Sequence, residues 1–141
     1  MRRTPARVGP PALTADDVGA RGSATLEFAL VLPIVLVMAL AIVQIGVLVR
    51  DQLVVVESAR AGAREASVNV DDDAARQAAE GAASSLDPAS LDVVVGRSGG
   101  AGSPVSVAVT YHAPIAIPVV AWLFPRSVDL SAAATMRQET G

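Results

Sequence analysis

The sequence predicts a membrane-anchored α+β protein: a long N-terminal transmembrane helix extending outside the bilayer, a second short helix, and a small antiparallel sheet of about three strands. Three observations carry this. Phe28 to Val49 is a run of 22 residues without a charge. Alanine, glycine and valine then recur at helical spacing as far as Leu86. Finally, the C-terminal third alternates apolar and polar residues with a period of two.

The first element is a leader, residues 1–22. Arg2, Arg3, Arg7 and Arg21 outweigh Asp16 and Asp17, and Pro5, Pro10 and Pro11 interrupt any early helix. It reads as a short, basic, unstructured segment. The apolar run follows. At ~1.5 Å per residue it spans about 33 Å as a helix, which matches a hydrocarbon layer of ~30 Å. Four arginines before the span and none within it place the N-terminus in the cytoplasm and everything after Arg50 outside.

Beyond the bilayer, "DQLVVVESARAGAREASV" extends the same helix to about Val68. Val55, Ala59, Gly62 and Ala66 form a stripe of small side chains, which allow close approach of another helix. An alternative for this half is a solvated helix with Glu57 and Arg60 paired at i,i+3. The span with its extension makes up residues 23–69, and residues 70–141 form the outer α+β domain.

In that domain "DDDAARQAAEGAASSLDP" is the second helix. Asp71 or Asp72 caps it, and an acidic first turn suits the helix dipole. Ala74, Ala75, Ala78, Ala79, Ala82, Ala83 and Leu86 share one apolar face, and Asp87-Pro88 ends the helix. Strands follow at Leu91 to Gly96, at "VSVAVTY" with Val105, Val107, Val109 and Tyr111 on one face, and at "SVDLSAAATMRQE" with Val128, Leu130, Ala132, Ala134 and Met136 on one face. "RSGGAGSP" is a flexible hairpin loop between the first two. Ile115 to Phe124 is apolar, too short to cross a membrane and punctuated by proline; it reads as core or as an interaction surface. A helix is expected to cover one face of the sheet.

Composition excludes several kinds of chemistry. The chain has no cysteine, hence no disulfide, thiolate metal site or Cys nucleophile. All eleven basic residues are arginine, so there is no Schiff-base lysine and no P-loop lysine. A net charge of -3 gives no reason to expect nucleic acid. Asp71 to Asp73 lack the alternating ligands and glycine of a calcium loop. Gly96, Gly99, Gly100 and Gly102 are not followed by the residues of a phosphate cradle. The single histidine, His112, lies at a strand end, and Asp87 and Asp92 have no cation identifiable nearby. No catalytic, cofactor or metal site is expected, and the chain reads as structural rather than enzymatic.

Glu27 is the one charge at the entrance to the apolar run. It can be a plain interfacial carboxylate, since charge costs ~2.5–3.5 kcal/mol only at the bilayer centre. A second reading starts from Arg21-Gly22-Ser23. If a peptidase cuts between Gly22 and Ser23, the new amine, with a reference pKa of about 7.7–8.0, is mostly protonated. Glu27 lies one helical turn away. At 4 Å two unit charges attract by roughly 4 kcal/mol at an effective dielectric near 20, before desolvation is subtracted. Loss of the leader also takes the net charge from -3 to -5.

"RGSATLEFALVLP", "VESARAGAREAS" and the terminal "AAATMRQE" together resemble the TadE family, minor pilins or pseudopilins of the tight-adherence (Tad/Flp) branch of type IV pili. The resemblance implies that Gly22 and Ser23 flank a prepilin-peptidase cut and that Glu27 and Phe28 are the family's "EF" pair, used in assembly. It implies that Pro33 is the early proline and that Arg60 to Arg64 are the arginine-glycine-alanine run. It further implies a prepilin peptidase, other pilin or pseudopilin subunits, the Tad membrane platform and the lipid bilayer as partners, with no cofactor. Two other outcomes are open: an uncleaved single-pass protein whose outer domain binds a secretion or cell-envelope partner, and a secreted domain released after Ala41, where "ALA" has the form favoured by signal peptidase.

Overall fold

The computed structural model describes residues 15–115 and 127–139, with side chains from Thr25 onward. The order is a long helix α1 (Ala15–Val68), a helix α2 (Asp72–Ala82), a 3-10 turn (Pro88–Ser90), and strands β1 (Leu91–Arg97), β2 (Pro104–Pro114) and β3 (Ser127–Arg137). The expected α+β composition, a long helix, a short helix and a three-stranded antiparallel sheet, is the observed one. The chain divides into two compact units, Met1–Met38 and Ala39–Gly141, and α1 contributes to both.

In the first unit α1 starts earlier than expected. Ala15 to Gly22 are helical, whereas an unstructured leader was anticipated. Pro5, Pro10 and Pro11 all precede this stretch and do not disrupt it. Helix continues through Pro33. From Thr25 to Leu36 every residue is exposed, which is more than three turns, so all sides of the helix are uncovered. The expected roles of residues 1–14 in the leader lie outside the described residues.

In the second unit α1 acquires a buried face. Val55, Ala59, Ala63 and Ala66 are at most 1% exposed and join the core with Ala75, Ala79 and Ala83 of the α2 segment and Val105, Val107 and Val109 of β2. The small-residue stripe therefore packs within its own chain. On the opposite side Arg60 Nη1 donates to Glu57 Oε1 at 2.8 Å, so both readings of this half hold, one per face. Gly62 shows why the stripe has to be small. A Cβ there would lie 3.0 Å from Val107 Cγ1, 3.1 Å from Ala79 Cβ and 3.2 Å from the Ala75 carbonyl. Ser58, also buried, donates its hydroxyl to the Ala79 carbonyl at 2.7 Å.

Asp71 is the N-cap of α2, accepting from the Asp73 amide at 3.0 Å. Ala75 and Ala79 face the core as expected, but Ala82 is exposed. The helix ends at Ala82, short of the expected stop at Asp87-Pro88, and the turn that follows buries Ala83 and Leu86, as expected of both.

The sheet has the order β1-β2-β3, antiparallel throughout. The period-two pattern assigns its faces correctly. Val105, Val107, Val109, Tyr111 and Ala113 of the middle strand are all buried, flanked by Val93 and Val95 of β1 and by Leu130, Ala132 and Ala134 of β3. Ile115 is partly exposed, and the rest of the apolar segment Ile115 to Phe124 lies outside the described residues.

The β1-β2 loop is less free than its glycines suggest. Gly102, at φ +86°, takes a conformation that favours glycine. Its amide donates to the Gln138 carbonyl at 2.8 Å, and the Gln138 amide donates to the Ser103 carbonyl at 2.9 Å. The chain beyond β3 is thus tied to the loop, and the Glu139 amide ties it to the Ser67 carbonyl of α1 at 2.7 Å.

Candidate functional site

The feature that demands a functional account is the uncovered apolar surface of α1. Fourteen large hydrophobic side chains between Leu26 and Val49 are exposed, Phe28 at 65% and Leu30 at 69% among them. Leaving each in water forfeits roughly 1.5–3 kcal/mol. Scaled to their 37–69% exposure, the fourteen together forfeit on the order of 10–25 kcal/mol, comparable to the ~5–15 kcal/mol that separates most folded domains from unfolding. Such a surface suits an apolar surround. The helix is long and apolar enough to cross a membrane.

Of the expected processing and assembly residues, Gly22 and Ser23 lie in helical backbone. Glu27 and Phe28 are exposed, and Glu27 makes no ion pair among the described residues. No described group neutralises this carboxylate. A counter-ion from elsewhere has free access to it.

Gln44 is the one polar side chain within the uncharged run. It is fully buried, and among the described residues neither amide atom has a hydrogen-bond partner. Each such buried orphan costs about 1–3 kcal/mol. Asp51, two turns further on, is 9% exposed, with Arg50 at 3.6 Å.

The carboxylates of the outer domain have structural partners that the sequence did not disclose. Asp73 accepts from Arg76 Nη1 at 2.7 Å, and Asp87 caps the 3-10 turn through the Ala89 amide at 3.0 Å. Asp72 accepts from Arg97 Nε at 2.6 Å. Arg97, unremarked in the sequence, is the hub. Its Nη1 donates to the Ala66 carbonyl at 3.0 Å and its Nη2 to the Asn69 carbonyl at 2.8 Å. The last turn of α1 has no basic residue of its own, so a strand arginine supplies the charge that free helix-end carbonyls favour. With the Gln138 amide oriented as its neighbours require, its oxygen accepts from Arg97 Nη1 and its nitrogen donates to the Gly99 carbonyl, each at 2.7 Å. One guanidinium thus joins α1, α2, β1 and the chain after β3.

His112 is on the middle strand with its ring outside the core. It contacts Asp129 through Nδ1 at 2.7 Å and Asp92 through Nε2 at 3.4 Å. Its pKa is raised above the ordinary 6.5, first by the hydrogen bond to Asp129, then by that carboxylate's charge, and further by Asp92. Both ring nitrogens face carboxylates, so the ring has no free nitrogen with which to activate a hydroxyl. No group of three metal-binding side chains occurs among the described residues.

These features define a class: a small α+β domain together with a long helix whose stretch from Phe28 to Leu36 is apolar and exposed on every side. The family model described as TadE-like protein matches residues 22–64, a stretch that opens at Gly22 and closes at Arg64. The TadE-like resemblance read from the residues is thus met by the family model over this stretch. The matched stretch lies entirely within α1. No curated protein and no solved structure matches the chain.

Proposed function

We propose that the chain is a TadE-like minor pilin or pseudopilin that takes part in assembly of a Tad/Flp pilus after a prepilin peptidase cuts between Gly22 and Ser23. The apolar half of α1 holds the subunit in the bilayer, with the N-terminus cytoplasmic and residues 70–141 outside. It then packs against other pilin or pseudopilin subunits on the Tad membrane platform. The observation that carries this reading is that the TadE-like match, residues 22–64, covers the stretch of α1 that is apolar and exposed on every side from Phe28 to Leu36, with Glu27, unpaired among the described residues, at its entrance. On this reading the new Ser23 ammonium pairs with Glu27 of its own or a neighbouring chain, and Phe28 packs beside it.

A second reading is favoured by one observation. Helix α1 is continuous through Gly22 and Ser23, and backbone has to leave the helix to enter a protease cleft. An uncleaved single-pass protein with an outer partner-binding domain keeps that helix intact. Glycine lowers the barrier to the first reading, because it disfavours helix by ~1 kcal/mol relative to alanine.

Mass spectrometry of the protein from its native membrane separates the two. A chain beginning at Ser23 is expected. An intact leader as the sole form removes the peptidase assignment and leaves the single-pass reading.

A further inference from the structure

The outward face of the sheet carries a concentration of charge that neither anchoring nor assembly uses. Asp92, His112 and Asp129 lie side by side on three different strands near one end of the sheet, where β2 finishes and β3 begins. His112 and Asp129 are register partners, two residues from Pro114 and Ser127, the last pair between these strands. The other charged outward residue of the strands, Arg137, is paired with Pro104 at the opposite end. The core elements pack on the other face, so among the described residues the groups that confront the ring are Asp92 from β1 and Asp129 from β3.

The geometry sets a proton requirement. Neutral imidazole has one N–H and can donate to one carboxylate, turning a lone pair toward the other. Imidazolium has two N–H groups and can donate to both, with its charge between two negative ones. We infer that Asp92, His112 and Asp129 form a proton-operated staple that ties both edge strands to the middle strand when the ring is charged and releases one edge when it is neutral. The outer domain is therefore held more firmly in acidic than in alkaline surroundings.

The sign follows from linkage. A histidine whose folded-state pKa is raised contributes stability that is fully present below the unfolded value near 6.5 and is lost as pH rises through the higher folded value. All three side chains are at least 47% exposed, so salt weakens the staple. Its effect is modest and largest at low ionic strength.

The test uses the full chain in detergent micelles. His112 is the single histidine, so its ring signals in an NMR pH titration need no assignment. The expected result is a midpoint above 6.5 that falls in both Asp129→Asn and Asp92→Asn, the former more. In parallel, the Tm of the parent is expected to exceed that of His112→Gln by a few degrees at pH 6 and low salt, with the gap closing by pH 8.5 and shrinking in 1 M salt. A midpoint at or below 6.5, midpoints indifferent to both aspartate changes, or a Tm gap independent of pH overturns the staple. A merely structural histidine gives that last result.

Discussion

Helix α1 is one uninterrupted helix with two different surfaces. From Thr25 to Leu36 it is uncovered on every side, and from Phe28 on its exposed residues are apolar and mostly large. From Asp51 to Val68 it is amphipathic, with a narrow stripe of alanine, glycine and serine pressed into the core and charged residues opposite. The first surface suits a medium that surrounds it, lipid or other apolar helices. The second suits a partner in fixed register, and that partner is the chain's own α2 and sheet. Side-chain size separates the two roles: large residues suit a fluid surround, whereas small ones admit a backbone at contact distance.

Substitutions at either end sharpen the comparison by damaging one surface and sparing the other. The largest effect is expected from Val35→Arg, which places a charge in the span at about 2.5–3.5 kcal/mol on insertion scales. Membrane fractionation is expected to show reduced insertion, while Glu57→Gln, on the charged outer face, leaves it unchanged. Arg97→Ala comes next. Removing the hub strips Asp72 and two helix-end carbonyls of their donor, and hydrogen bonds to charged groups are worth about 1.5–3 kcal/mol each before exposure is discounted. Thermal unfolding in micelles is expected to fall by at least 1.5 kcal/mol, with insertion unaffected.

Gly62→Val is expected to cost about 1–3 kcal/mol, because the added carbons meet Val107, Ala79 and the Ala75 backbone at distances that already exclude a Cβ. Glycine-to-valine at Gly46, where nothing lies within 4 Å, is the control. The smallest effect has the opposite sign. Gln44→Leu replaces a buried, unsatisfied amide with an apolar group of similar size and is expected to stabilise by about 1 kcal/mol. A loss of stability there would mean that the amide has a partner after all.

Much of this fold was legible because its signals are local and periodic. The alternation of Val105 to Tyr111 and of Val128 to Met136 assigned the sheet faces, and the Asp-Pro stop after Leu86 placed the strands. The contacts that depend on residues far apart in sequence were not legible. Arg97 reaches partners 25 to 31 residues away, and a lone arginine at the end of a valine-rich strand carries no local sign of that role. His112 was read as isolated because Asp92 and Asp129 become its neighbours only when three strands align. Ala82 was assigned to the buried face by helical spacing, but it is the last residue of α2 and is exposed. Within the candidate site, Glu27 and the apolar run were visible at once, while the burial of Gln44 was not.

The contrast between the two surfaces of α1 is tested most directly by spin-label accessibility in lipid vesicles, for which a chain without cysteine is a clean background. Single cysteines at Leu30, Val31 and Leu32 sample successive sides of the proximal helix, and cysteines at Glu57, Arg60 and Arg64 sample the charged face of the distal one. The prediction is that dissolved oxygen, which concentrates in the hydrocarbon layer, relaxes all three proximal labels while a water-soluble nickel chelate reaches none of them, with the reverse pattern at the distal three. Access of the nickel reagent to any of the proximal labels, or oxygen-dominated relaxation at Arg60, would contradict the account.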